Sequence, residues 1–133
     1  PAAMHRPTLA AVAAWLDRRG GAVTLRWLNR SEPEARQVWQ GALGLPDTHV
    51  EFFGGLDTAH ASAVLASGDV ALAPYDDGVS TRRTTLAAQL QHGRPVIGTD
   101  GPSTDDLLRH SPALDLVPLT RPSVAEDVVA RLD

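Results

Sequence analysis

The sequence predicts an α/β domain with a doubly wound parallel sheet and helices on both of its faces. Short apolar runs that are typical of strands alternate with amphipathic helical patterns along the chain. Glycines or helix-capping residues separate most of these segments. Such alternation implies right-handed crossovers, which make the strands parallel and place helices on both sides of the sheet.

The first helix and the first strand follow from the apolar pattern. Pro7 is a favourable first-turn residue, and the helix that it opens ends at the glycine pair 20–21. The apolar stripe of this helix is formed by Leu9, Val12, Ala13 and Leu16. The run AVTLRWL, residues 22–28, then alternates as a strand does, with one face formed by Val23, Leu25 and Trp27.

Capping residues mark the next two helices. Ser31 and Glu34 have the spacing of a capping box, and Gly44 closes the helix that they begin. The strand HVEFFG, residues 49–54, follows. Asp57 is then placed to cap a third helix, whose apolar positions are Ala61, Val64 and Leu65.

The second half of the chain continues the alternation. Its predicted strands are DVALAP (69–74), PVIGT (95–99) and LDLVPL (114–119). Ser80 is predicted to cap a helix that ends at Gly93, and Ser103 to cap a short helix. Ser123 and Glu126 form a capping box for the terminal helix.

The composition describes one domain, residues 1–133, which is long enough for a single buried core. Apolar residues make up 43% of the chain, yet no run approaches the ~20 apolar residues of a membrane span. Neither a signal-peptide pattern nor a cysteine is present, so disulfides and thiolate chemistry are excluded. These features predict a cytoplasmic protein.

The charged residues exclude two functional classes. The formal net charge of −4 argues against a general nucleic-acid binder, which would carry a basic face. All twelve basic residues are arginines, a bias typical of GC-rich genomes. Because a P-loop needs a lysine after its glycines, P-loop nucleotide hydrolysis is excluded.

The order of the elements suggests a piece of a larger fold. Doubly wound domains usually open on a strand, whereas this pattern opens on a helix. We therefore expect that the domain lacks its first strand and more of its parent chain. A short native start is the alternative.

The stretch DDGVSTRRTTLAAQL, residues 76–90, is the strongest candidate binding site. It follows a predicted strand, and ligands of open parallel sheets bind at the carboxyl ends of strands. Two arginines stand at the start of a predicted helix, where the helix dipole disfavours cations. Together with first-turn amides they suit an anion, and a diphosphate would use the most donors. The candidate diphosphate-binding residues are Asp77, Gly78, Val79, Ser80, Thr81, Arg82, Arg83 and Thr84, with Thr85 as a further donor.

The polar residues also allow interpretations that involve no ligand. Arg82 or Arg83 pairing with Asp76 or Asp77 would make a self-satisfied surface turn without a ligand. The acidic pairs 76–77 and 105–106 are more typical of caps than of metal sites, and the five histidines show no ligand spacing. No metal or cofactor is therefore predicted. The three tryptophans sit at positions expected for packing.

The run LASGDVALAPYDDGVSTRRTTLAAQLQHGRPVIGTDG, residues 65–101, resembles the nucleotide-sugar-binding half of family-four-like GT-B glycosyltransferases. The most specific part is the combination of DGVS, RR and HGRPV at these spacings, and the likeness covers roughly residues 8–132. Upstream, VEFFGGLD resembles the strand and turn that face the nucleotide base. The resemblance implies the carboxyl-terminal, Rossmann-like donor domain of a two-domain enzyme.

Such an enzyme moves a sugar from a nucleoside diphosphate to an acceptor held with an amino-terminal domain. By the resemblance, the helix start at 80–85 holds the diphosphate of the nucleotide sugar, and residues 93–96 are structural. The base and ribose would meet Phe53, Gly54, Gly55 and Leu56. The arginines and amides would stabilise charge developing on the leaving diphosphate, and no catalytic residue is assigned. The isolated domain is expected to be inactive.

The sequence departs from the family pattern at two acidic positions. Many members carry two glutamates separated by seven residues across this helix, and the matching positions here are Ser80 and Ala88. The ribose and sugar contacts of those glutamates are therefore lost or replaced, with Asp77 near enough in sequence to replace the first. Two alternatives follow: a non-catalytic nucleotide- or sugar-phosphate-binding module, or a structural domain whose arginines serve an interface.

Overall fold

Helices and strands alternate along the chain, as predicted. The structure is a computed structural model that describes residues 4–133, apart from the side chains of Ala42, Thr84 and Thr85. Its elements are α1 (Arg6–Arg18), β1 (Leu25–Asn29), α2 (Glu32–Arg36), β2 (Val50–Gly54), α3 (Thr58–Ala66), β3 (Ala71–Ala73), α4 (Thr84–Gln91), β4 (Val96–Asp100), α5 (Asp106–Arg109), β5 (Leu114–Pro118) and α6 (Val124–Leu132).

The strands are parallel but form two sheets. β1 pairs with β2, in a register that starts with Leu25 opposite Val50. In the second sheet, β4 lies between β3 and β5. The predicted parallel α/β architecture is thus confirmed and is compatible with a Rossmann-like fold. The expectation of one continuous sheet is wrong for residues 4–133, because no strand in that range joins β1 to β3.

Helices cover both faces of the three-stranded sheet. On one face, Leu86 of α4 and Leu108 of α5 pack in a cluster with Val96. On the other face, Val128 of α6 packs with Ile97. Neighbouring strand residues point to opposite faces, so 96 and 97 belong to different cores. The predicted placement of helices on both faces is confirmed for this sheet.

The packing role predicted for the tryptophans is confirmed. Trp39 is fully buried, and its ring meets that of Trp27 edge-on with centroids 5.5 Å apart. Its Nε1 donates a hydrogen bond to the Pro46 carbonyl over 2.7 Å. Trp15, on α1, is also buried and packs with Val129 of α6.

The predicted caps have mixed outcomes. Ser31 accepts from the Glu34 amide and Asp57 from the His60 amide, so both of these caps are confirmed. The helix that Ser31 begins continues as a π-helix over Gln37–Ala42. The Ser103 cap is wrong, because α5 begins after Asp105. Ser123 does precede α6, but its hydroxyl donates to Asp127 and no side-chain capping bond forms.

A membrane span needs a helix of sufficient length and hydropathy. None of the helices between residues 4 and 133 is both long enough and apolar enough to span a bilayer.

Candidate functional site

Two loops at the carboxyl ends of β3 and β4 are joined by hydrogen bonds. The Val79 amide donates to the Thr99 carbonyl over 2.8 Å, and the Ser103 amide donates to the Asp77 carbonyl over 3.0 Å. The buried Thr99 hydroxyl donates to the Tyr75 carbonyl over 2.6 Å. The structure therefore brings the predicted residues 77–80 against the loop after β4, at the sheet edge where ligands bind in open parallel sheets.

Gly78 makes this contact between the loops possible. Its φ is +93°, in the left-handed region that favours glycine. A Cβ at this position would lie 2.3 Å from the Gly101 amide nitrogen and 2.4 Å from Thr104 Oγ1. The two backbones thus approach each other more closely than any other residue type would allow.

The helix start lies later than the sequence predicts. Ser80 was expected to cap the helix, but α4 begins at Thr84 with Arg83 in the capping position. Ser80 is buried and forms a turn instead: its hydroxyl accepts from the Arg82 amide and its carbonyl from the Arg83 amide. The prediction that the amides of residues 81–83 form the first helical turn is therefore wrong. The same shift leaves Ser80 outside the helix that contains Ala88.

The Arg83 guanidinium lies inside the site rather than in solvent. It stacks over the Tyr75 ring, with Cζ 4.0 Å from the centroid, and Nη2 pairs with Asp77 Oδ1 at 2.5 Å. The side chain is only 19% exposed, and its buried Nε has no hydrogen-bond partner in the described structure. Arg83 therefore forms the pair with Asp77 that the self-satisfied interpretation predicts.

The electrostatics of this cluster hold the carboxylate charged. Partial burial opposes ionisation of Asp77, but hydrogen bonds from Ser103 and Arg83 outweigh it and hold the pKa below its ordinary value. Burial raises the pKa of the Tyr75 phenol, and the Arg83 charge opposes this only in part. Near neutral pH the cluster is therefore an Asp77–Arg83 ion pair stacked on a neutral phenol.

Arg82 has a different environment. Its side chain is exposed, and it takes part in no salt bridge within residues 4–133. Its charge already helps to lower the pKa of the nearby Asp105 carboxylate, but of the two arginines singled out in the sequence Arg82 is the more exposed and is the one open to an added anion.

A carboxylate of the same chain already binds the Thr81 amide and hydroxyl in this turn. The amide and the hydroxyl of Thr81 both donate to Asp105 Oδ2, over 2.9 and 2.8 Å. These hydrogen bonds, first the amide and then the hydroxyl, hold the pKa of Asp105 below its ordinary value. An incoming anion that used the Thr81 amide would have to displace this side chain.

The Asp105 contact predicts a pH dependence. Because the folded pKa is lowered, the contact contributes stability above the ordinary aspartate pKa of about 3.9 and loses it as pH falls through the folded value. We expect an NMR titration to show Asp105 ionising below that ordinary pKa. Thr81→Val removes the hydroxyl donor but keeps the amide, so it should move the pKa part of the way back. An Asp105 pKa at or above the ordinary value would contradict the contact.

The predicted base-facing residues lie on the other sheet. Phe53 and Gly54 end β2, and Gly55 and Leu56 follow in the loop. A Cβ on Gly54 would lie 2.0 Å from the Glu32 amide nitrogen, so this loop packs against the start of α2. No hydrogen bond described for residues 4–133 links residues 53–56 to residues 77–84.

Sequence reasoning missed two participants in the site. The aromatic face of Tyr75 and the carboxylate of Asp105 become neighbours of residues 81–83 only through tertiary structure. In the sequence Asp105 stands out only as one of an acidic pair. Within residues 4–133, no group of three or more histidine, aspartate or glutamate side chains is arranged to hold a metal ion.

Comparison with known proteins adds no relative. No family model matches the chain, and no curated protein or solved structure is significantly similar to it.

Proposed function

We propose that this chain is the donor-binding domain of a GT-B glycosyltransferase. In this proposal it binds the diphosphate of a nucleotide sugar at residues 77–84 and transfers the sugar together with an amino-terminal domain of the same parent chain. The resemblance of residues 65–101 to that family is the sequence support. The parallel α/β architecture, which is compatible with a Rossmann-like fold, is the structural support.

The observation that carries the proposal is the exposed Arg82 on a glycine-lined turn ahead of α4. The turn lies at the carboxyl end of β3, beside the loop that follows β4. Gly78 and Gly101 let the two loops pack directly against each other, which fixes the turn that carries Arg82. Arginine in such a position suits the bidentate recognition of phosphate oxygens.

The chemistry in this proposal is electrostatic. Breaking the bond between sugar and diphosphate leaves negative charge on the departing phosphate oxygens. Arg82, with main-chain amides at the start of α4, would stabilise that charge as it develops. Arg83 would not contact the diphosphate directly, because its guanidinium is held by Asp77 and Tyr75. It would instead hold the turn in place. We assign no general base.

A second candidate is a structural α/β domain that binds no nucleotide. The Arg83–Asp77 pair and the Thr81–Asp105 contact favour it, because they satisfy much of the polar turn from within the chain.

Titration of the chain with UDP, GDP and ADP, followed by calorimetry or NMR, separates the two candidates. If the proposal is correct, one nucleotide binds and Arg82→Ala weakens it by about tenfold or more. This estimate assumes the loss of one charge-assisted hydrogen bond of about 1.5–3 kcal/mol. Arg82 is the better first variant, because replacing Arg83 would also break a salt bridge and a cation–π contact.

Arg18→Ala is the matched control. Arg18 is an exposed arginine in the last turn of α1. The first turn of that helix lies near the carboxyl end of β3, so Arg18 is at the end of the helix that points away from the site. This variant should bind the nucleotide as the unmodified chain does. Failure of a folded chain to bind any of the three nucleotides at millimolar concentration would favour the structural candidate.

A further inference from the structure

In the described part of the chain, the outward edges of β1 and β3 are not paired with a strand. In β1, the Leu25 amide donates to the His49 carbonyl, so residues 25, 27 and 29 face β2. The main-chain groups of Arg26 and Leu28 consequently point to the opposite side. In β3, the Ala71 amide donates to the Pro95 carbonyl, which turns Leu72 away from β4. Within residues 4–133, neither of these outward sides is paired with a strand.

A side-chain amide takes the place of a strand at the edge of β3. Gln89 Nε2 donates to the outward-facing Leu72 carbonyl over 3.2 Å. The other end of the same amide, Gln89 Oε1, is buried and has no hydrogen-bond partner in the described structure. A buried acceptor without a donor is unfavourable. The Gln89 amide thus imitates one peptide group of a neighbouring strand and satisfies only half of its own hydrogen bonds.

Helix α1 packs against residues of both strands, β1 and β3. A single cluster contains Val12 and Leu16 of α1 together with Leu25 of β1 and Leu72 of β3. One strand needs about 4.8 Å on each side, so a gap for a single strand is about 10 Å wide. A helix is about as wide as that and can touch the strands on both sides of the gap. The packing of α1 therefore fits a sheet from which one strand is absent.

Helix α3 supports the same gap from its own packing. It connects β2 of one sheet to β3 of the other, and none of its nine residues is buried. Its predicted apolar positions 61, 64 and 65 are only half-buried. By contrast, six residues of α1 and four of α6 are buried. An apolar helix that crosses between the sheets without burying any residue lacks part of the surface on which it should pack.

The start of α1 indicates which way the chain would enter the gap. The His5 amide donates to the Pro74 carbonyl over 2.7 Å, and Met4 forms an antiparallel bridge with Tyr75. Both contacts lie at the carboxyl end of β3. Met4 also packs against the cores of both sheets. Because the Met4 bridge is antiparallel, the chain at Met4 already runs back from this edge. A strand in the gap that ran parallel to its neighbours would therefore end at this edge, and the chain would reverse before Met4.

We infer that the gap between β1 and β3 receives a parallel, apolar β-strand that precedes Pro1 in the same polypeptide and displaces the Gln89 amide from Leu72. The strand would join the two sheets into one sheet in the order β2, β1, inserted strand, β3, β4, β5. Its main chain would pair with Arg26 and Leu28 on one side and with Leu72 on the other. This inference rests on the sheet edges and is independent of nucleotide binding.

The test is to fuse a strand ahead of Pro1. One extension carries about five alternating valines and isoleucines, and the control carries a glycine–serine extension of the same length. Hydrogen exchange should show at least about tenfold stronger protection of the Arg26, Leu28 and Leu72 amides with the apolar extension alone. Equal protection in both proteins would overturn the inference. Protection gained at the outer edge of β2 or β5 would overturn it as well.

A second test asks whether the added strand replaces the Gln89 amide. It compares the effect of Gln89→Met in the chain with and without the apolar extension. In the chain as it is, this variant removes the donor to the Leu72 carbonyl together with the unpartnered Oε1, and the two effects oppose each other. In the chain with the apolar extension, the strand supplies that donor, so the melting temperature should shift less towards destabilisation there, by a difference of about 3–5 °C between the two backgrounds. Equal shifts in the two backgrounds would show that Gln89 and the strand do not compete.

Discussion

Gly78→Ala should destabilise the protein by about 2–5 kcal/mol. A left-handed backbone costs a residue with a Cβ about 1–2 kcal/mol. The contact with the loop after β4 adds to this, because the new Cβ would lie 2.3 Å from the Gly101 amide nitrogen. Forcing atoms into a packed site costs about another 1–3 kcal/mol. Urea denaturation of both proteins measures the difference.

Gly93→Ala is the control for backbone strain. Gly93 has a φ of +67°, but nothing lies within 4 Å of a Cβ placed there. This variant should lose only the left-handed strain, about 1–2 kcal/mol. If both variants lost the same amount, the close approach of the two loops would not contribute to stability.

Trp39→Ala should destabilise the protein by about 3–5 kcal/mol, the usual range for removing a large aromatic side chain from a core. Trp39 is fully buried and packs edge-on against Trp27. It also holds the end of the π-helical segment, because its Nε1 donates to the Pro46 carbonyl. Thermal and urea denaturation, followed by circular dichroism, measure the loss.

Trp39→Phe separates packing from hydrogen bonding. It keeps an aromatic ring but removes the donor to Pro46, so it should lose less stability than the alanine variant. A loss below about 1 kcal/mol for Trp39→Ala would contradict the central place of this ring in the core.

Local patterns were enough to predict the elements of the fold. The stripe that begins at Leu9 and the alternation around Trp27 are periodic signals, and both correspond to observed elements. The caps at Ser31 and Asp57 were predictable for the same reason, since each hydroxyl or carboxylate bonds an amide three residues away. Nothing in these patterns reveals how many sheets the strands form, because strand pairing depends on neighbours distant in the sequence.

The wrong caps have a physical reason in common with the missed site residues. Ser80 is a good capping residue, but the preceding Val79 amide is bound to Thr99, and this tertiary bond places Ser80 in a buried turn. Ser103 is likewise drawn to Asp77, which lies 26 positions earlier. The sequence therefore indicated where polar groups cluster, but not which of them satisfy one another. Arg83 and Asp77 were predicted as a possible pair, whereas the contact of Asp105 with Thr81 was not.

The Asp105–Thr81 contact makes any anion binding at this turn a competition. A tethered carboxylate faces its donors at an effective concentration in the millimolar range or above, whatever the solution contains. A singly charged ion in solution gains little by replacing one carboxylate with another anion of the same charge. A multiply charged ligand that also reaches Arg82 keeps an additional attraction after the exchange. The turn would thus favour multiply charged anions, because only these bind strongly enough to displace Asp105.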